Sequence, residues 1–141
     1  MPVTICLNMI VKNESKIITR LFDSVLSIID TYCICDTGST DNTIEIIGNY
    51  FKEKSITGKI LTIPFRNFGY NRSKALEATK GMATYALLLD ADMKLVVKDT
   101  FDKNSLTSDA YLIRQGGVTF NYYNLRLVKT DINAKCVCPT H

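Results

Sequence analysis

Tyr85-Ala86-Leu87-Leu88-Leu89-Asp90-Ala91-Asp92 is an apolar run without polar alternation that stops at two aspartates. A strand with one wet face alternates polar and apolar residues, so Tyr85 to Leu89 reads as a strand covered on both faces, as in the middle of a parallel sheet. The segments upstream agree. Val3 to Met9 is a short run rich in strand formers, and Ser15 to Asp30 carries Ile17, Ile18, Leu21, Phe22, Val25, Leu26 and Ile29 at helical spacing. Tyr32 to Cys35 reads as a second strand, followed by a turn and a helix whose inner face carries Ile44, Ile47, Tyr50 and Phe51. Gly58 breaks that pattern. Lys59 to Ile63 is the expected third strand, Pro64 to Gly69 a loop, and Asn71 to Lys80 a helix burying Ala75, Leu76 and Thr79, with Gly81 at its C-terminal end. Alternating strands and helices predict an α/β fold with a mostly parallel central sheet flanked by helices.

Downstream the pattern changes. Leu95 to Val97, Ala110 to Arg114, Val118 to Val128 and Lys135 to Val137 read as strands, with Gly116-Gly117 suited to a hairpin turn. The expectation is one domain over residues 1–141, with an α/β half over 1–97 and a smaller β-rich portion over 98–141.

Composition fits this. The chain has 141 residues, 46% hydrophobic and 22% charged, enough for a packed core without staples. A net charge of +3 is far from the dense basic patch of a dedicated nucleic-acid binder. No apolar run approaches the ~20 residues of a membrane span, and no secretory leader is legible at the start. A reducing cytoplasm is the expected compartment, or a host cytoplasm if the source is viral; usage rich in Ile, Asn and Lys fits an AT-rich genome. Cys33 with Cys35 and Cys136 with Cys138 stand in C-x-C spacing, unlike the C-x₂-C of zinc sites, and read as small buried residues.

In an open parallel sheet, ligands bind at the carboxyl ends of the strands, near the point where strand order reverses. Those ends carry Lys12, Asn13 and Glu14 after the first strand, Asp36 after the second, Arg66 and Asn67 after the third, and Asp90 and Asp92 after the fourth. Two carboxylates in D-x-D spacing suit a hard divalent cation such as Mg²⁺ or Mn²⁺, which bridges readily to a diphosphate; the same pair can also end a strand in a solvated turn. In Asp36-Thr37-Gly38-Ser39-Thr40-Asp41-Asn42-Thr43, Gly38 permits a sharp turn and Thr40 or Asp41 can cap the next helix, while Asp36 stands where it can accept hydrogen bonds from a ribose or a base. Arg66, Arg72 and Lys74 bracket a helix N-terminus, where cations are disfavoured by the helix dipole unless an anion joins them.

Together these segments resemble glycosyltransferase family 2, the GT-A fold, in the order and spacing of four motifs from Val3 to about Val97. Ile5-Cys6-Leu7-Asn8-Met9-Ile10-Val11-Lys12-Asn13-Glu14 is similar to the family's first strand and nucleotide-contacting loop, which implies donor contacts at Asn8, Val11, Asn13 and Glu14. Cys35-Asp36-Thr37-Gly38-Ser39-Thr40-Asp41-Asn42-Thr43 resembles the second-strand motif and implies that Asp36 meets the base or ribose. Asn71-Arg72 resembles the helix before the fourth strand and implies contacts from Asn71 and Arg72, with Arg66 also on the donor. Asp90-Ala91-Asp92 resembles the DXD motif. It implies that Asp90 and Ala91 lie against the donor, that Asp90 faces the ribose or metal, and that Asp92 is the main metal ligand. Asn124 to Lys129 and the terminal Pro139-Thr140-His141 resemble a later part of some members, where a histidine adds a metal ligand; His141 is the only histidine here. The acid that succeeds it in those members is not present, so the chain reads as truncated at its C-terminus.

The resemblance implies transfer of a sugar from a nucleotide sugar, a UDP sugar, to a hydroxyl of a protein or glycan acceptor, with inversion and with Mn²⁺ or Mg²⁺ as cofactor. The residues single out no catalytic base, although Asp109 and Asp131 are available. Two alternatives stay open. One is a non-catalytic or degenerate nucleotide-sugar-binding module. The other is a phosphotransferase of the haloacid-dehalogenase type, against which the D-x-D stands after the fourth strand rather than the first and is followed by Lys94 where Thr or Val is usual. The oligomeric state is open.

Overall fold

In the computed structural model, which describes residues 2–116 and 121–132, the elements run β1 (Ile5–Val11), α1 (Ile18–Val25), β2 (Thr31–Asp36), α2 (Thr43–Glu53), β3 (Gly58–Thr62), α3 (Phe68–Glu77), β4 (Tyr85–Leu88), a short 3₁₀ turn (Lys103–Ser105), β5 (Ala110–Gly116) and β6 (Asn121–Lys129). The strands form a six-stranded sheet in the order β3-β2-β1-β4-β6-β5. β1 pairs in parallel with β2 and with β4, and β2 in parallel with β3. β6 runs antiparallel to β4 and to β5. β6 and β5 therefore extend the same sheet.

Side-chain alternation along β1 assigns the two layers. Ile5, Leu7, Met9 and Val11 pack with Ile18, Leu21, Phe22 and Val25 of α1 and with Ile47 and Phe51 of α2. On the opposite face, Asn8 Nδ2 donates to the Ala75 carbonyl of α3 and to the Cys33 carbonyl of β2, both at 3.0 Å. Leu76 of α3 packs there with Ala86 of β4 and Val128 of β6.

Several elements differ from their sequence reading, each for a local reason. α1 is shorter than Ser15 to Asp30 because turns flank it: Ile17 and Ile18 both donate to the Glu14 carbonyl, and Ile28 and Ile29 both donate to that of Val25. α3 begins at Phe68, ahead of Asn71, because Asn67 Oδ1 accepts the Tyr70 N–H at 2.7 Å and caps the helix. On α2 the buried stripe is Thr43, Ile47 and Phe51, at intervals of four, so Ile44 is exposed and Tyr50 half-buried. Leu95 to Val97 is not a strand; the Leu95 N–H is taken by Ser24 Oγ at 3.0 Å, and Val96 is exposed. Lys135 to Val137, Gly117 and the start of the Val118 to Val128 run lie outside the described residues. Cys6, Cys33 and Cys35 are buried free thiols, and burial pushes Cys6 up to about 12 and Cys33 to about 11, so both stay protonated. Cys136 and Cys138 lie outside the described residues.

Phe22 joins the two helices that carry the loops at the sheet's carboxyl edge: its ring lies 5.0 Å from that of Tyr50 and 4.7 Å from that of Phe51. Phe22→Ala is expected to destabilise the chain by about 3–5 kcal/mol, read as a lowered urea midpoint at unchanged slope. A loss under ~1 kcal/mol would mean that α1 and α2 do not pack through this residue.

Candidate functional site

The strand order reverses at β1, with β2 and β3 on one side and β4 on the other. The carboxyl ends of these strands form one edge. Thr37 N–H donates to the Val11 carbonyl at 3.0 Å, Ile63 N–H to that of Asp36 at 3.0 Å, and Leu89 N–H to that of Asn8 at 3.4 Å. These bonds bring the loops that leave the four strands together along that edge.

Asp36 ends β2 and is 1% exposed. Its Oδ1 accepts the N–H groups of Gly38 at 2.9 Å and Ser39 at 2.8 Å, a turn that needs the positive φ of Gly38 (+132°). Its other oxygen, Oδ2, is buried and has no hydrogen-bond partner among the described residues. A buried acceptor left unmatched is costly unless a donor arrives. Asn13, at φ +54°, ties this turn to the end of β1: its N–H donates to Ser39 Oγ, and its Oδ1 accepts from the N–H groups of Thr40 and Asp41. Thr43 Oγ1 accepts the Glu14 N–H at 3.0 Å and donates to Asp41 Oδ1, while Ser15 Oγ donates to Asp41 Oδ2. These bonds, that from the Thr43 hydroxyl foremost, hold the Asp41 carboxyl below its usual range.

After β4, Asp90 turns back on itself, its carbonyl accepting the Met93 N–H at 3.0 Å. Arg72 of α3 forms an ion pair with Asp90 Oδ1, both side chains largely buried. Arg20 of α1 donates to the Asp92 carbonyl at 2.9 Å. Asp92 itself is exposed, and Ala91 between the two acids is buried.

Glu14 records how close these acids stand. Its carboxyl is raised above the ordinary value, first by burial and then by the negative charges of Asp92, Asp41 and Asp90. Such an edge repels a diphosphate unless a cation sits within it. The donor set fits one: hard divalent cations take carboxylate oxygens and are commonly held by one or two of them together with ligand phosphates. Among the described residues no three or more His, Cys, Asp or Glu cluster as a metal cage, and Asp90 and Asp92 are the carboxylates on the turn after β4.

The remaining candidate residues divide. Glu14, Asp36, Arg72, Asp90 and Asp92 meet at the edge. Asn8 uses its amide on two backbone carbonyls inside the fold. Asn71, fully buried, donates to the carbonyls of Ile63 and Pro64 and accepts from the Arg66 N–H, so it shapes the β3–α3 loop. Val11 is buried, its carbonyl held by Thr37. Arg66 is exposed, its guanidinium 4.9 Å from the Tyr70 ring centre, and Lys74 flanks the same ring; of the three cations around α3, Arg72 is the one paired with a strand-end acid. Asp109 and Asp131 stand at the opposite edge of the sheet, where Lys129 pairs with Tyr85 at the amino end of β4. His141 lies outside the described residues. Arg20 and Ser24 escape a sequence reading because their partners lie more than 70 residues away, at a distance no local pattern encodes.

The glycosyl transferase family 2 model matches residues 6–103. No curated protein matches the chain in sequence. Among solved structures, residues 1–349 of S. aureus TarS align with a TM-score of 0.56 at 21% identity, over 66% of this chain and 28% of that one. The same TarS piece in complex with UDP-GlcNAc gives 0.53 at 22%, over 63% and 26%. The mannosyltransferase PcManGT from Pyrobaculum calidifontis, in complex with GDP-Man and Mn²⁺, gives 0.60 at 16%, over 74% and 31%. The likeness is one of fold, the GT-A fold, and the chain spans about a quarter to a third of the length of these proteins. The haloacid-dehalogenase reading finds no support among these matches.

Because Glu14 is raised, the folded chain binds its proton more tightly than the unfolded chain does. Stability is therefore lost as pH rises from the ordinary glutamate value through the raised one. Glu14→Gln is expected to melt above wild type at pH 7, with the difference vanishing as pH falls to about 4. A variant that gains nothing at pH 7 would mean that neither burial nor the neighbouring acids press on the Glu14 carboxylate.

Proposed function

The chain belongs to glycosyl transferase family 2, and we propose that its carboxyl edge binds a nucleotide-sugar donor, a UDP sugar, with Mn²⁺ or Mg²⁺, for transfer of the sugar to a hydroxyl of a protein or glycan acceptor. The observation that carries this reading is the buried, unmatched Oδ2 of Asp36 at the strand-order reversal. It is closed to solvent as the fold stands, so a ribose hydroxyl or a base N–H would reach it by displacing what covers it, while the Asp36 turn holds the carboxyl through Oδ1. The donors held by TarS and PcManGT, UDP-GlcNAc and GDP-Man, support a nucleotide sugar as the ligand class.

In this reading Asp92 is the main ligand of the cation, and Asp90, oriented by Arg72, faces the ribose or the ion. When bound, a divalent cation neutralises charge on the nucleoside diphosphate leaving group. Arg72, already drawn to the edge by Asp90, can add a second positive charge beside that diphosphate as it departs. A trough of about 1090 Å³ whose lining includes Met93, Leu95, Phe101, Tyr111, Ile113 and Arg126 reaches the turn through Met93, although Asp36, Arg72, Asp90 and Asp92 do not line it. Inversion calls for a base on the acceptor hydroxyl. The placement of Asp109 and Asp131 at the far edge speaks against both as that base; a second reading is a module that binds the donor without turnover.

Calorimetric titration with UDP is expected to give binding that strengthens with Mn²⁺. Asp92→Ala should lose the metal-dependent gain, and Asp36→Asn, which swaps a carboxylate oxygen for a donor amide, should weaken UDP by about 1–3 kcal/mol. A folded chain that binds no UDP with or without Mn²⁺ would refute the donor site. Release of sugar to an acceptor by the wild type separates the transferase from the silent module.

A further inference from the structure

The turn that carries Asp90 and Asp92 is strung between helices on opposite faces of the sheet. From the α3 side, Arg72 pairs with the Asp90 carboxylate. From the α1 side there are two grips, one helical turn apart on the same helix. Arg20 donates to the Asp92 carbonyl at 2.9 Å, and Ser24 Oγ accepts the Leu95 N–H at 3.0 Å while donating to the Leu21 carbonyl at 2.6 Å. α1 is a rigid base for both, because Ile18, Leu21, Phe22 and Val25 are fully buried.

We infer that Arg20, supported by Ser24, is a positioning residue that sets where the Asp92 carboxylate stands for a divalent cation; this rests on the donor-and-metal reading above. The turn's own bond, Met93 N–H to the Asp90 carbonyl, fixes its internal shape but not its tilt against the sheet. The carbonyl and the carboxylate of Asp92 share one Cα, so a guanidinium holding the carbonyl fixes the backbone there and with it the direction in which the Cα–Cβ bond leaves the turn. The bond is exposed, so it acts by geometry, with a charged donor on the carbonyl, more than by strength. Arg20 also forms no ion pair with the Asp92 carboxylate among the described residues, so its grip on the turn does not compete with a cation for those oxygens. Supporting groups one layer behind metal ligands ordinarily tune the affinity of the site.

The test measures UDP binding by calorimetry while Mn²⁺ is varied, on wild type, Arg20→Ala and Arg20→Lys, with melting temperature recorded for each. In Arg20→Ala the Mn²⁺ concentration for half-maximal UDP binding is expected to rise about tenfold, with UDP affinity at saturating Mn²⁺ and the melting temperature close to wild type. Arg20→Lys, which keeps one charged donor, should recover part of the shift. An unchanged Mn²⁺ requirement in Arg20→Ala overturns the positioning role alone. Equal weakening at all Mn²⁺ levels also overturns it, since a merely structural role would act that way. A wild type that binds UDP with no Mn²⁺ dependence overturns the metal reading itself, and the positioning role with it.

Discussion

Glu14, Asp41, Asp90 and Asp92 share one edge of a sheet, and holding four acids there is the constraint that the surrounding structure answers. Each acid has a different restraint. Asp41 is held by the hydroxyls of Thr43 and Ser15, Asp90 by Arg72, and the backbone of Asp92 by Arg20. Glu14 is the one whose carboxyl is pushed up, first by burial and then by the others. The proposed cation would offset the charge that this gathering of acids brings together.

The fold makes the gathering possible. With β1 central and β2 and β4 on either side, three strands end side by side and point their turns at the same space. α1 then links two of those turns. It starts from the Glu14 carbonyl after β1 and reaches the Asp92 to Leu95 segment after β4 through Arg20 and Ser24. The β6 and β5 strands widen the sheet beyond β4, giving the turn a neighbour on its outer side, where Arg126 of β6 donates to the Leu88 carbonyl.

The uniform apolar run before Asp90 and the Gly38 turn after β2 are legible in the sequence because hydrophobic period and glycine conformation are local properties. The five acids and cations that meet at the edge are legible for the same reason: each comes directly after a strand or sits in the helix before one. What escapes is polar and long-range. Thr43 is buried as a pin between Glu14 and Asp41, so a hydrophobic pattern assigns the inner face of α2 to Ile44 instead. Asn8 and Asn71 stand at positions a family likeness ties to the donor, yet their amides close carbonyls within the fold, Asn8 across 25 and 67 residues. Ser24 takes the Leu95 N–H and with it the strand expected from Leu95 to Val97.

The most direct test is a crystal structure of the chain soaked with UDP and Mn²⁺, using the anomalous signal of manganese. The expected result is an ion on the Asp92 carboxylate beside the diphosphate, with a ribose hydroxyl or base N–H on Oδ2 of Asp36. A nucleotide bound elsewhere, or manganese away from the Asp90 to Asp92 turn, would contradict it.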